Sequence, residues 1–241
     1  MNLPESTWTD VRDAEADLAA LPVGSTEQHG PHAPLGVDFM TAEAIAEAGV
    51  ERYADDHGGR ALVGPTIPVG VAEEHRDFDG TLWVSEDTFR AYVRETVESL
   101  AHHGLDGVVV VNGHGGNAAA LRELCARYTR DGDGYAVPYT WFDAVDFENL
   151  GHGGPAETSF IRHLHPELVR EDRTEAAADG ASGGWGEWLH GTNLAYDSSS
   201  FTDSGVVGDP RDGNAALGEE LLAESAAGLA DVLDAVASRV A

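Results

Sequence analysis

Lysine is absent from this chain. The 14 basic residues among its 241 are all arginine, and they face 43 Asp plus Glu, for a formal net charge of −29. Polyphosphate would be repelled by nearly every face, which excludes a nucleic-acid-binding surface. Acid enrichment without lysine is the composition expected of a cytoplasmic protein from a salt-accumulating, halophilic organism, because near molar salt the Debye length falls to about 3 Å and self-repulsion is screened. Cysteine is nearly absent too, with Cys125 alone, so an intrachain disulfide and a cysteine-rich zinc site are both excluded. Cys125 falls on an apolar helical stripe with Leu121 and Leu124, where packing is its expected role. No apolar run approaches the ~20 residues of a membrane span, and Met1 to Asp10 has neither a basic region nor an apolar signal core. Despite 29 glycines there is no glycine- or proline-rich linker, and one domain over residues 1–241 is expected.

What is present is an alternation of apolar runs and amphipathic segments, the pattern of an α/β domain with a mainly parallel sheet. Leu18 to Val23 reads as a strand, Thr41 to Tyr53 as a helix, and Ala61 to Val69 as a second strand holding Pro65 and Pro68. Ser85 is the expected cap of a helix reaching His103, with Glu86 and Asp87 at its positive end and Phe89, Val93, Val97 and Leu100 at helical spacing. Gly107 to Val111, with four consecutive valines, is the clearest buried strand. A helix over Ala118 to Thr129, a strand over Ala136 to Phe142 and a closing helix from about Asn214 to Val240 follow. The stretch from Asp143 to Asp212, rich in Gly, Asp and Ser, shows no assignable period.

Ligands of parallel α/β sheets bind outside the carboxyl ends of the strands, so the polar loops after Val23 and Val111 should share one edge. That gathers Glu27, His29, His32 and His114. Glu27 and His29, two apart, project to one side of extended backbone, and Asp38 can return to them after the Gly30-Pro31 and Pro34 turns. A carboxylate able to bridge, flanked by His and Glu, is the composition of a two-metal hydrolytic site using zinc, manganese or iron; the bland alternative is a solvated polar loop capping the next helix. Two more clusters could reach the same edge: Gly151-His152-Gly153-Gly154-Pro155-Ala156-Glu157-Thr158-Ser159, and Val71 to Thr81 with His75 and Arg76, where about half the charges read as plain acidic surface. Gly180-Ala181-Ser182-Gly183-Gly184 has the letters of a nucleophile elbow without the strand and helix around it. Asn112 to Asn117 lacks the P-loop lysine and the Rossmann glycine spacing. No side-chain nucleophile is expected.

Gly24-Ser25-Thr26-Glu27-Gln28-His29-Gly30-Pro31-His32 with Pro34-Leu35 and Asp38, then Asn112-Gly113-His114-Gly115-Gly116-Asn117, then His152 with Glu157-Thr158-Ser159, in that order, resemble the creatininase (creatinine amidohydrolase) family. Gly205 to Pro210 is similar to the family's closing segment. The resemblance implies a three-layer α/β/α sandwich and two divalent transition-metal ions that activate water against a non-peptide or terminal amide bond of a small molecule. It implies that Asp38 bridges the metals, that Glu27 and His114 bind one and His29 the other, and that His152 moves a proton to the leaving nitrogen. Creatininase supplies a further ligand from a glutamate where this chain has Gly116; Glu157 is the candidate replacement, or else a second proton donor. Gly153 replaces an alanine, a small change expected to be tolerated. The amides of Gly115 and Gly116 are expected to hold the carbonyl oxygen or an anionic group, and Arg76 beside His75 to meet a substrate phosphate. The Gly-Gly motif is more similar to the branch of archaeal formylaminopyrimidine-nucleotide deformylases and mycofactocin-precursor peptidases than to creatininase, and the salt-adapted composition favours the deformylase. The resemblance also implies a homo-oligomer such as a hexamer. A metal-stabilised binding protein without turnover would carry the same ligands, and His152 separates the two readings.

Overall fold

A computed structural model describes residues 1–132, 134–147 and 150–240. In chain order its elements are α1 (Trp8–Asp13), β1 (Leu18–Val23), α2 (Val37–His57), β2 (Ala61–Val63), α3 (Glu86–His102), β3 (Gly107–Asn112), α4 (Ala118–Asp131), β4 (Tyr135–Thr140), α5 (Trp141–Ala144), α6 (Pro155–Leu164), α7 (Thr174–Asp179), a short hairpin of β5 (Trp188–Leu189) and β6 (Thr192–Asn193), and α8 (Ala215–Val240). The first four strands form a parallel sheet in the order β2-β1-β3-β4. Each strand is apolar on both faces, and the two faces feed different layers. Leu18, Ala20, Val109 and Val111 pack with α2, α6 and α8, whereas Ala19, Leu21, Val23, Val108 and Val110 pack with α3 and α4. The result is the expected three-layer α/β/α arrangement.

The chain leaves β1 towards β2 on one side and later returns to β3 on the other, so the β1/β3 boundary is where strand order reverses. Val23 pairs with Asn112 at that boundary, which brings the two following loops to the same edge. Several boundaries differ from those read in the sequence. The ladder of β2 stops at Val63 rather than running to residue 69, because Pro65 and Pro68 donate no N–H; contact with β1 resumes only as a bridge between Val23 and Ile67. Helix α2 starts at Val37, not Thr41, which places Asp38 in its first turn, where a carboxylate suits the positive helix end. Strand β4 ends at Thr140, and Trp141 and Phe142 belong to α5. Cys125 is buried in the α3/α4 layer, where burial pushes its thiol up to about 12, as a packing role requires.

Candidate metal centre

Loop, helix and strand ends bring the acidic and imidazole groups together by backbone devices. Asn112 grips the backbone of His114 from both sides, its Oδ1 accepting from the His114 N–H at 3.1 Å and its Nδ2 donating to the carbonyl at 2.8 Å. Asn117 ties three loops, donating to the Gly24 carbonyl (3.1 Å) and accepting from the Val71 N–H (2.9 Å). Glu27 and His29 come off the β1 loop, Asp38 from the first turn of α2, and Glu157 from the first turn of α6.

Their acid and ring atoms converge. Asp38 Oδ1 lies 3.0 Å from His29 Nε2 and its Oδ2 lies 3.2 Å from His114 Nδ1; Glu27 Oε2 is 3.1 Å from His114 Nδ1, and Glu157 Oε2 is 3.5 Å from His29 Nε2. Three groupings have ligand atoms close enough to share an ion: Glu27, Asp38 and His114; His29, Asp38 and Glu157; and Glu27, His29 and His152. Asp38 is common to the first two, the position a bridging carboxylate needs. Both oxygens of Glu27, Asp38 Oδ2 and His29 Nε2 are fully buried yet make no well-directed hydrogen bond. Leaving four such acid and imidazole atoms unpaired within one cluster is costly, and a pair of divalent ions is what this donor set fits.

The outer ring nitrogens are fixed as metal-ligating histidines require. His29 Nδ1–H donates to the Glu27 carbonyl (3.2 Å) and His114 Nε2–H to the Val71 carbonyl (2.6 Å), so the inner nitrogens present lone pairs to the carboxylates. Without ions, protons take that role. Burial opposes charge on His29, but Asp38, Glu157 and Glu27 outweigh it and push its pKa up to about 10; His114 is raised likewise by Glu27 and Asp38. Burial pushes Glu27 up and carries Glu157 to about 7, whereas His29 and His114 hold Asp38 below the usual carboxylate range despite its burial.

Gln28 stands behind the cluster and controls two more imidazoles. Its Oε1 accepts from the Gly30 N–H (2.9 Å), which fixes the amide orientation, and its Nε2 lies 2.9 Å from each of the Gly205 carbonyl, His75 Nδ1 and His152 Nε2, with two hydrogens to give. His152 Nε2 lies 2.7 Å from the Gln28 backbone carbonyl. Pairing each donor with an acceptor makes His152 Nε2 a donor, which leaves Nδ1 as a lone pair 3.7 Å from Glu27 Oε1. Burial holds His152 far below the ordinary histidine range, so its ring is neutral.

The other expected site residues divide. His75 is buried in the cluster wall, its ring stacked on His152 at 4.3 Å and its Nε2 3.4 Å from Glu27 Oε1, and burial pushes its pKa down to about 3. Gly115 and Gly116 line a cavity of 420 Å³ above the cluster, together with Glu74, His75, His114, His152, Glu157 and the apolar groups of Trp141, Phe142, Leu150 and Trp185. Arg76 does not line it: its guanidinium turns away to Asp197 at 2.9 Å and Glu73 at 3.6 Å. His32 is also apart, donating from Nε2 to Thr158 Oγ1 at 2.9 Å. A Cβ at Gly116 would lie 2.1 Å from the Val71 carbonyl and 2.9 Å from Glu74 Oε1, so this backbone accepts no side chain there. At Gly153 φ is +57° and a Cβ would meet the His29 carbonyl at 2.8 Å, so glycine suits this backbone. Gln28, Glu74, Ser198 and Trp185 were not singled out in the sequence. Donor accounting around Gln28 has no linear signature, Glu74 sits inside a charge run, and the other two lie in the aperiodic stretch.

The creatininase family pattern, described as creatinine amidohydrolase, matches residues 4–233, and the chain belongs to this family. It is 33% identical over 215 residues to the mycofactocin precursor peptide peptidase of Mycolicibacterium smegmatis, covering 89% of this chain and 83% of that protein. To the creatinine amidohydrolase of Pseudomonas putida it is 31% identical, over 70% and 74% of the two chains. The formylaminopyrimidine-nucleotide deformylase of Methanobrevibacter smithii is less similar, 28% identical over 67% and 65%, so the expected lean towards that activity gives way to the peptidases. A manganese creatininase structure superposes with a TM-score of 0.75 at 27% identity over 96% of each chain, and a zinc-zinc form with 0.73 at 26%.

Proposed function

We propose that this member of the creatininase family is a binuclear metal-dependent amidohydrolase whose substrate is a small amide or short peptide rather than a phosphorylated formamide. The carrying observation is the pair of ligand groupings that share Asp38, within which both oxygens of Glu27, Asp38 Oδ2 and His29 Nε2 are buried without a well-directed hydrogen bond. Glu27, Asp38 and His114 would hold one ion, and His29, Asp38 and Glu157 the other. Two divalent ions so held supply Lewis acidity that polarises a carbonyl and acidifies water.

The remaining work falls to the chain's own groups. His152 is neutral and presents Nδ1 towards the cluster, so it can take the proton of an attacking water and return it to the departing nitrogen. Gln28 holds that ring by its backbone carbonyl and steadies the stacked His75 through its amide. Trp141, Phe142, Leu150 and Trp185 give the cavity apolar walls that exclude water and take an apolar substrate body. Peptide-type substrates are favoured over the nucleotide by two facts: the greater similarity to the peptidase, and the diversion of Arg76 to Asp197, which leaves no arginine among the described lining residues to meet a phosphate. His152→Ala tests the reading. The variant should keep its metal and lose turnover by ~10²–10⁴-fold, the usual contribution of a positioned proton carrier. Loss of metal together with fold would make His152 structural and favour a binding protein without turnover.

A further inference from the structure

Glu74 is the carboxylate of the cavity that the ligand groupings leave out. Its backbone is pinned: the Glu74 carbonyl accepts from Ser198 Oγ at 3.0 Å, and its neighbour His75 is locked between Gln28, Ser198 and the His152 ring. The carboxylate projects into the volume that a side chain at Gly116 would otherwise fill. Its one ion-pair neighbour among the described residues is His114 Nε2, at 3.9 Å, and that N–H is already given to the Val71 carbonyl. Glu74 is thus one imidazole width beyond the cluster and about a quarter exposed, at 23%, in the cavity wall, with lone pairs left beyond the hydrogen bond it takes from its own backbone N–H.

The walls around it carry Glu74 and Glu157 as their only carboxylates among the described residues, with Trp141, Phe142, Leu150 and Trp185 lining the same cavity. Glu157 belongs to a ligand grouping, so Glu74 remains free to meet the substrate. An anionic group could be drawn to the ions that the cluster would hold, but against Glu74 it would meet a like charge, whereas an ammonium placed there would gain a charge-assisted hydrogen bond in a half-enclosed site. Deepening the amidohydrolase reading and resting on it, we propose that Glu74 is a specificity residue that binds a protonated amine of the substrate, next to the amide being cleaved, while the apolar body of the substrate packs on the aromatic wall. The substrate class is then a free-amine amino-acid amide or the free amino end of a short peptide.

Two probes that share one skeleton test this: phenylalaninamide, with an ammonium beside the amide, and 3-phenylpropanamide, with hydrogen in its place. Binding of each to zinc-loaded protein is read by calorimetry and by quenching of the tryptophans. Wild type should bind phenylalaninamide about tenfold tighter or more, since a hydrogen bond to a charged group is worth about 1.5–3 kcal/mol and 1.4 kcal/mol is tenfold. In Glu74→Gln and Glu74→Ala the preference should fall to within about twofold, with zinc content and melting temperature unchanged. Equal affinities in wild type, no binding of phenylalaninamide, tighter binding of the uncharged probe, or a preference that survives both substitutions would overturn the assignment. Failure of the underlying reading is distinguishable: protein that takes up no zinc refutes the metal site, whereas protein that takes up zinc and hydrolyses amides without an amine preference refutes only the role of Glu74.

Discussion

Replacing Gln28 with leucine is the sharpest test of how the imidazoles are held. The leucine side chain has nearly the same volume but neither donates nor accepts. Of the four groups 2.9 Å from the amide, the Gly205 carbonyl, the Gly30 N–H and His75 Nδ1 lose their partner, while His152 Nε2 keeps the Gln28 backbone carbonyl. A buried polar group left unpaired costs about 1–3 kcal/mol. The three are not equal. His75 Nδ1 has a second donor within reach, Ser198 Oγ at 3.0 Å, which can turn from the Glu74 carbonyl, and the Gly30 N–H is only part-buried. The Gly205 carbonyl is stranded, so the total should come to about 2–4 kcal/mol. At about 2–4 °C per kcal/mol for a chain of this length, Gln28→Leu should lower the melting temperature by roughly 10 °C. Calorimetry on metal-free protein is the right assay, because bound metal would add linkage stability to both forms. Adding Ser198→Ala removes the fallback donor, so the double variant should lose about 1 kcal/mol more than the sum of the singles. A melting point within 1 °C of wild type would refute the donor assignment around Gln28, and strict additivity would refute the Ser198 fallback.

Two further outcomes follow from the same geometry. Glu157→Gln removes a carboxylate from the grouping with His29 and Asp38 but not from that of Glu27, Asp38 and His114, so zinc should fall from about two to about one per chain; retention of both ions would show that Glu157 is no ligand. For pH, burial raises Glu157 to about 7 and the carboxylates raise His29 to about 10 in the metal-free fold, against ordinary values of 4.5 and 6.5. Groups raised on folding contribute stability that is complete below the lower value and is lost as pH climbs through the higher one. Below about pH 7 the lowered His75 and His152 act with the opposite sign, so it is from pH 7 to pH 10 that metal-free protein should melt progressively lower, while zinc-loaded protein, whose ions displace those protons, should not follow it. A metal-free chain equally stable at both limits would contradict the protonation of the cluster.

The strand ends that carry chemistry were legible because a buried parallel strand must be an apolar run and its ligand loop must be polar; Val23 and Val111 show both. Asp38 was legible as a candidate but not its placement, since Gly36 and Val37 carry no conventional cap and the helix starts before its apolar period is visible. Arg76 and Glu74 reverse expectation for one reason. Both lie in a dense charge run, and which member faces the cavity is decided by a residue 121 positions away from Arg76, Asp197, in a stretch without period. Among its described residues that stretch folds as the ten-residue α6, shorter helices, single turns and a two-residue-per-strand hairpin, and most of these are too short to show 3.6- or 2-residue spacing. The Gly116 departure was visible, but its cause, the Val71 carbonyl against the missing Cβ, is a tertiary approach that no linear pattern encodes.

The central claim is that Asp38 joins two ion sites. Elemental mass spectrometry of wild type and Asp38→Ala, each reconstituted with zinc, manganese or iron and then desalted, measures it directly. The account predicts close to two transition-metal ions per wild-type chain and close to none in the variant, which loses the carboxylate common to both groupings while its far-ultraviolet dichroism stays native. Wild type that takes up no metal, or Asp38→Ala that keeps both ions, would contradict it.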